Sequence, residues 1–376
     1  MRWTAAFRTG VISPYGRIQF GRPRGFADQT VHQVLHMAGG GERVRVRLTN
    51  RHGRGPLVLG AARAATEHGQ AGLTFGGSGT VTVPPGAEIV SDPADLPVAA
   101  GADLHLGLYF PEETGPATYS HMPAQTARVV RGRSPVHPGA EQVQGRFYVA
   151  GVDVLAPDDT AVAVAFGDSW FEGVGTTSGA NNRSVDFLNR RLPRGWVVNQ
   201  GIAGNRLLTD EVGEHGLARF DSDVLAIPGL THVLVHFGIN DLVLPAMTGE
   251  PRVTSDVLVE GFEALAGRAH QAGLKILAAT IGPFGGAAGG LSTPAGLAAR
   301  REVNDWIRTT GTFDAVFDVA RAVEDPDAPD RIHPALDSGD GMHLNDAGAR
   351  AMARTVDLKS LVLQRSSQEI VISRPL

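Results

Sequence analysis

Cysteine is absent from this chain. That absence excludes disulfides, thiolate metal sites and a thiol nucleophile. Aromatic residues make up only 6%, and no apolar run is long enough to cross a bilayer as a helix. An excess of positive charge is also missing. The 34 Lys and Arg are outnumbered by 39 Asp and Glu, giving a formal net charge of −5 and a pI near 6.2. Such a balance offers no footprint for nucleic acid or an anionic membrane surface, and no membrane insertion is expected. The opening residues, Met1 to Phe7, contain no apolar leader core. A cytoplasmic location is therefore the expectation, or a secreted one if a leader was removed. What remains is a composition of 42% hydrophobic and 19% charged residues over 376 positions, globular in kind and long enough for two domains.

The two halves differ in hydrophobic period. Residues 1–155 read as strands of alternating polarity: Glu42 to Thr49, Gly79 to Val83, Ala102 to Phe110 and Gln142 to Val154. Turn formers separate them, among them Asn50-Arg-His-Gly53 and Pro84-Pro-Gly86. Short alternating strands between Gly/Pro turns predict an antiparallel β-sandwich. Residues 156–376 instead carry continuous apolar runs at Ala161 to Phe166, Trp196 to Asn199, His232 to Phe237, Lys275 to Ile281 and Val316 to Val319. Helical patterns fall between them at Asn182 to Leu192, Ser255 to Ala272, Pro294 to Thr309 and Asn345 to Val356. In the second of these, Val257, Phe262, Leu265 and Ala269 mark the expected core face. Strand alternating with helix predicts an α/β domain around a parallel sheet. The loop Gly282 to Gly290 reads as a mobile rim.

Chemistry-bearing residues recur at the ends of the predicted strands. Gly167-Asp168-Ser169 follows the first apolar run, which places a serine at the crest of a strand-to-helix turn. Serine needs a base near neutrality, and histidine supplies one when a carboxylate fixes its tautomer. Asp340 and His343 stand three residues apart in a Gly-rich segment, close enough for one loop to present both. The oxyanion of an attacked carbonyl needs fixed donors. Candidates are the Ser169 and Gly204 backbone N–H groups and the Asn240 side-chain amide, each after a strand. Asp168 is expected to brace the nucleophile turn and Asp241 to orient the Asn240 loop.

This ordered set resembles the SGNH (GDSL-type) hydrolase family over roughly residues 160–357. The resemblance rests on Gly167-Asp168-Ser169, on Gly204, on Gly238 to Asp241 and on Asp340 to His343. It implies a flavodoxin-like fold, catalysis by Ser169, Asp340 and His343 through an acyl-enzyme, and no cofactor. The first 155 residues resemble the β-sandwich that precedes such a domain in a two-domain branch. Trp170 after the serine and Leu344 after the histidine depart from the family's common pattern, which puts the substrate class in doubt.

The substrate is expected to be a small ester or thioester. Three functions fit these residues: a carboxylic ester hydrolase, an O-acyltransferase moving an acyl group from acyl-CoA to an alcohol acceptor, and a carbohydrate-binding protein with an inert hydrolase-like domain. The sequence leaves the acyl group and the oligomeric state open. Trp170 either shapes an acyl pocket or packs beneath the turn. Asn205 and Leu344 are candidate substrate contacts, and Arg206 is either an anion clamp or a surface residue. Arg183, Arg190, Arg191 and Arg194 read as a solvated helix face. His32 with His36, and His232 with His236, have a zinc-like spacing. Both pairs lie on predicted strands, where four residues separate side chains by roughly 13 Å. No metal is therefore expected, and His236 reads as a core histidine.

Overall fold

The computed structural model describes residues 1–361. The chain forms two compact units, the first Met1–Thr160 and the second beginning at Ala161. Residues 156–160, which the change of pattern groups with the second half, belong to the first unit. The last part of the expected second domain, 362–376, lies outside the described residues.

The first unit is built from antiparallel sheets. One has four strands in the order Arg2–Arg8, Val149–Ala156, Val44–Thr49, Glu88–Val90. The other has six, in the order Glu141–Gln144, Thr126–Arg131, Gln29–His36, Asp103–Phe110, Ala61–Thr66, Gly69–Leu73. Period-2 alternation decides their faces. Along Asp103–Phe110, Leu104, Leu106, Leu108 and Phe110 are buried, while His105 and Arg63 on the neighbouring strand are exposed. Phe26, Phe110, Phe147 and Tyr148 form an aromatic cluster in the core. The expected single strand from Gln142 to Val154 is instead broken into Glu141–Gln144, Arg146–Phe147 and Val149–Ala156. The breaks fall at Gly145 (φ 127°) and Tyr148 (φ 59°), left-handed conformations that end a strand whatever the hydropathy pattern.

The second unit has a five-stranded parallel sheet, ordered Trp196–Gly201, Val162–Gly167, Leu230–His236, Lys275–Ala279, Ala315–Phe317. In chain order this is 2-1-3-4-5, the flavodoxin-like arrangement. Every residue of Val162–Gly167 is buried, as a strand covered on both faces requires. The helix Pro294–Thr309 starts at a Thr293 cap with proline in its first turn, and Asp346–Thr355 is capped by Asn345. In Ser255–Gln271 the buried stripe is Leu258, Phe262, Leu265, Ala266 and Ala269. Phe262, Leu265 and Ala269 are buried as expected, while Val257 is 45% exposed and Leu258 takes its place at the start of the stripe. The order of the sheet reverses between Val162–Gly167 and Leu230–His236, and ligands of such sheets bind at the carboxyl ends on either side of that point.

Candidate active site

The nucleophile turn is set by its neighbours. At Gly167 an added Cβ would run into the His236 carbonyl, so the chain can turn there only without a side chain. Asp168 caps the short helix Ser169–Glu172, its Oδ1 accepting from the Trp170 N–H at 3.1 Å. Gly173 closes the helix with φ 102°. Ser169 is thus held at the first helical position, just past the strand end.

A loop from the end of the domain meets it. Asp340 Oδ1 accepts from the N–H groups of Met342 (2.9 Å) and His343 (2.8 Å). Its Oδ2 lies 2.6 Å from His343 Nδ1, and His343 Nε2 lies 3.0 Å from Ser169 Oγ. These contacts assign the tautomer: Nδ1–H donates to the carboxylate, and Nε2 accepts the serine hydroxyl. Burial works to raise the Asp340 carboxyl. The hydrogen bond and charge of His343, with the two amides, outweigh it and hold the group well below the usual carboxylate range. Asn345 fixes the loop's exit, accepting from Ala347 and Gly348 while donating to the Ala335 and Asp337 carbonyls.

Hydrogen bonds link the three segments that carry the expected donors. Glu172, last residue of the nucleophile helix, accepts from the Ala203 N–H at 2.5 Å. Gly204 follows with φ 79°, a conformation that favours glycine. Asn240, near the start of the helix Ile239–Thr248, donates one amide hydrogen to the Asn205 carbonyl at 3.0 Å, which leaves the other to give. Asp241 is fully buried and accepts from the Leu207 N–H (2.9 Å) and the Leu208 N–H (3.1 Å). Burial pushes its carboxyl up to about 6 against the pull of those amides. Asn240 and Asp241 therefore tie the Gly204 loop to the third strand. The arrangement offers a hydroxyl on a base, the base on a carboxylate, and amide donors within one polar network.

Residues 165–351 match the model of the GDSL-like Lipase/Acylhydrolase family. The chain carries a GDSL-like lipase/acylhydrolase domain. No curated protein matches the chain. Several solved structures are similar to it. The native aryl esterase of M. smegmatis is 18% identical, with a TM-score of 0.44 over 54% of this chain and 100% of that one. A carbohydrate acetylesterase family member from Sinorhizobium meliloti is 18% identical, with a TM-score of 0.43 over 54% and 99%. LAE5, an alpha/beta hydrolase enzyme from the metagenome of Lake Arreo, Spain, is 22% identical, with a TM-score of 0.40 over 56% and 100%.

Several residues expected to touch substrate are structural in the GDSL-like domain. Arg206 is 2% exposed, 2.5 Å from Glu250 and 3.8 Å from Glu211, so it is neither a surface residue nor a free clamp. Asn205 is spent on the Val212 and Glu214 carbonyls and on Arg219. Leu344 is buried against Gly348. Trp170 packs beneath the turn: its ring stacks on His236 at 4.9 Å and its Nε1–H donates to the Met342 carbonyl. Of the four arginines expected on a solvated face, Arg190 and Arg194 are exposed, Arg191 is half-buried and donates to the Ala353 and Val356 carbonyls, and Arg183 is buried on Asp186. The start of the Gly282 to Gly290 loop is pinned. Gly282 abuts the Trp170 ring, Phe284 is buried, and the Gly285 N–H donates to the Asp330 carbonyl at 2.5 Å.

Three contributors were not visible as motifs. Glu172 was hidden in the helix it ends. Arg219, 1% exposed, donates to the Gly167 carbonyl (2.8 Å), the Gln200 carbonyl (2.9 Å), Asn205 Oδ1 (2.9 Å) and Asp223 (3.1 Å). It thereby clamps the end of the nucleophile strand to the Gly204 loop. His236, fully buried, lies 2.9 Å through Nδ1 from Asp168 Oδ1. Among the described residues, neither its Nε2 nor Asp168 Oδ2 has a hydrogen-bond partner. Among the described residues, no group of three His, Asp or Glu is placed to hold a metal ion, and no helix is long and apolar enough to cross a membrane.

Proposed function

We propose that the GDSL-like domain is a carboxylic ester hydrolase working through an acyl-Ser169 intermediate. The observation that carries this is the relay from Ser169 Oγ to His343 Nε2 (3.0 Å) and from His343 Nδ1 to Asp340 (2.6 Å). In the first half-reaction His343 Nε2 takes the serine proton as Oγ bonds to the ester carbonyl carbon. The carbonyl oxygen becomes an oxyanion, met by the Ser169 and Gly204 N–H groups and the free amide hydrogen of Asn240. Asp340, held ionised, stabilises the imidazolium. His343 then gives its proton to the leaving alkoxide, the C–O bond breaks, and the alcohol departs. In the second half His343 deprotonates water, hydroxide attacks the acyl carbon, and Ser169 leaves with the proton restored.

An O-acyltransferase would share the first half and discharge the acyl group to an alcohol. Water exclusion for such transfer would have to come from the surroundings of the site, here Trp170, Leu344 and the glycine loop Gly282 to Gly290. Trp170 and Leu344 face inward and the loop's start is pinned, so hydrolysis is the reading we keep. The test is intact-protein mass spectrometry after mixing with activated esters and acyl thioesters. A short-lived acyl adduct, absent in Ser169→Ala and discharged by water, supports the hydrolase. An adduct that persists in water and leaves only on addition of an alcohol refutes it in favour of transfer. No adduct with any donor refutes the acyl-enzyme itself.

A further inference from the structure

We propose that the outer face of the six-stranded sheet in the N-terminal unit is a binding groove for a carboxylated oligosaccharide. The groove has a volume of about 810 Å³ and is bounded on one side by the loop from Arg133 to Val136. His32 Nε2, 2.9 Å from the Ser134 carbonyl, ties that loop to the sheet.

The charge of the lining is one-sided. Arg63, Arg128 and Arg133 all face the groove, as do His32 and His105, and no Asp or Glu lines it. All three arginines are exposed. None of the three forms an ion pair among the described residues; Arg63 spends one N–H on Gln70 Oε1 at 3.0 Å. The nearest carboxylate the contacts show, Asp28, sits at the edge on Tyr109 and Arg131, so in a chain of net charge −5 three arginines around one concavity with no carboxylate of their own call for an anion from outside.

Spacing selects the kind of anion. Register places Arg128 opposite His32, His32 opposite Gly107, and Gly107 opposite Arg63. The two arginines therefore share one row across the sheet, three strand spacings or about 14 Å apart at the backbone. Arg63 is held on Gln70 of the edge strand, on the side away from Arg128, so an extended ligand with separated charges meets both arginines better than one carboxylate or phosphate does. Between them stand the His32 ring and Gly107, whose missing side chain leaves room beside that ring, while Gly72 lies beyond Arg63 on the edge strand. Gln70 and Thr126 offer amide and hydroxyl partners, which suit a polyhydroxylated chain; the Thr30 hydroxyl is spent on the Gly132 carbonyl at 2.6 Å. A single-stranded nucleic acid would want stacking rings. Among the described residues the groove is lined by one Phe, Tyr or Trp ring, Tyr109, whose hydroxyl donates to Asp28 at 3.0 Å.

The test is calorimetric titration of the whole chain with tetragalacturonate, with cellotetraose as the neutral counterpart and inorganic phosphate as the bare anion. We expect one-site binding of tetragalacturonate that weakens with added salt. Arg63→Ala and Arg128→Ala should each lower the affinity about ten- to a hundredfold, as loss of a charge-assisted hydrogen bond does. Ser169→Ala should leave it unchanged, which separates the groove from the proposed active site. Absence of binding at millimolar tetragalacturonate would overturn the proposal. So would equal binding of cellotetraose, displacement of the sugar by phosphate at equal concentration, or wild-type affinity in both arginine variants.

Discussion

Asn240 is the donor whose removal says most about the proposed chemistry. Its amide has two hydrogens, and the Asn205 carbonyl takes one at 3.0 Å. Only the other is free to meet an oxyanion. Asn240→Ala removes both, with separable consequences. Loss of the bond to Asn205 leaves a buried carbonyl less satisfied and lowers stability by about 1–3 kcal/mol. Loss of the oxyanion donor raises the barrier by about 2.7–4 kcal/mol, a fall of 10²–10³ in kcat. The charge on the carbonyl oxygen develops only in the transition state, so KM should hardly move. Steady-state hydrolysis of p-nitrophenyl acetate gives kcat and KM separately, and a thermal melt reports the stability cost. A folded variant losing less than about tenfold in kcat would refute the oxyanion role. A raised KM with unchanged kcat would make Asn240 a ground-state contact instead.

Other outcomes follow from the same network. Asp340→Asn should leave the fold intact and lower kcat by a factor on the order of 10⁴, because the amide favours the wrong imidazole tautomer; near-normal turnover would contradict the relay. Asp241, with a folded pKa of about 6 against an ordinary 3.8, keeps a proton that the unfolded chain has released between those values. Stability therefore falls as pH rises through that window, by roughly 3 kcal/mol. Asp241→Asn should flatten that part of the pH profile of the unfolding midpoint, and parallel profiles would refute the assignment. Arg219→Met should cost about 3–5 kcal/mol, since the buried Asp223 loses its arginine and the Gly167 and Gln200 carbonyls each lose a charged donor; a melt within a degree or two of wild type would show the clamp to be dispensable.

The sequence spoke clearly where one residue's period or position decides the outcome. Alternation in Asp103–Phe110 and the apolar run of Val162–Gly167 each fixed a strand and its cover. Thr293 before Pro294, and Asn345 before Asp346, marked helix starts by cap chemistry. Ser169, Gly204, Asn240 and the Asp340 loop were legible together because a parallel sheet brings its strand ends to one edge. Silent features depended on backbone angles or distant partners. Hydropathy runs on past Tyr148, whose positive φ breaks the strand. The helix Ile239–Thr248 was missed because Gly238 precedes it and Pro245 sits inside it. Arg206 reads in the sequence as either an anion clamp or a surface residue and Arg219 carries no signal, and only the fold brings Glu250 to one and the Gly167 carbonyl to the other.

The pair of Asp168 and His236 beneath the serine has a cost that the rest of the core avoids. A polar pair with an unmatched oxygen and an unmatched nitrogen sits where apolar side chains would pack more favourably. It persists beside the one helix whose pose must be exact to a fraction of an ångström. The nucleophile turn is therefore a place where durability and turnover pull in opposite directions. Lineages selected for heat tolerance alone would shed this pair early, and would become sturdier as their serine drifted out of line.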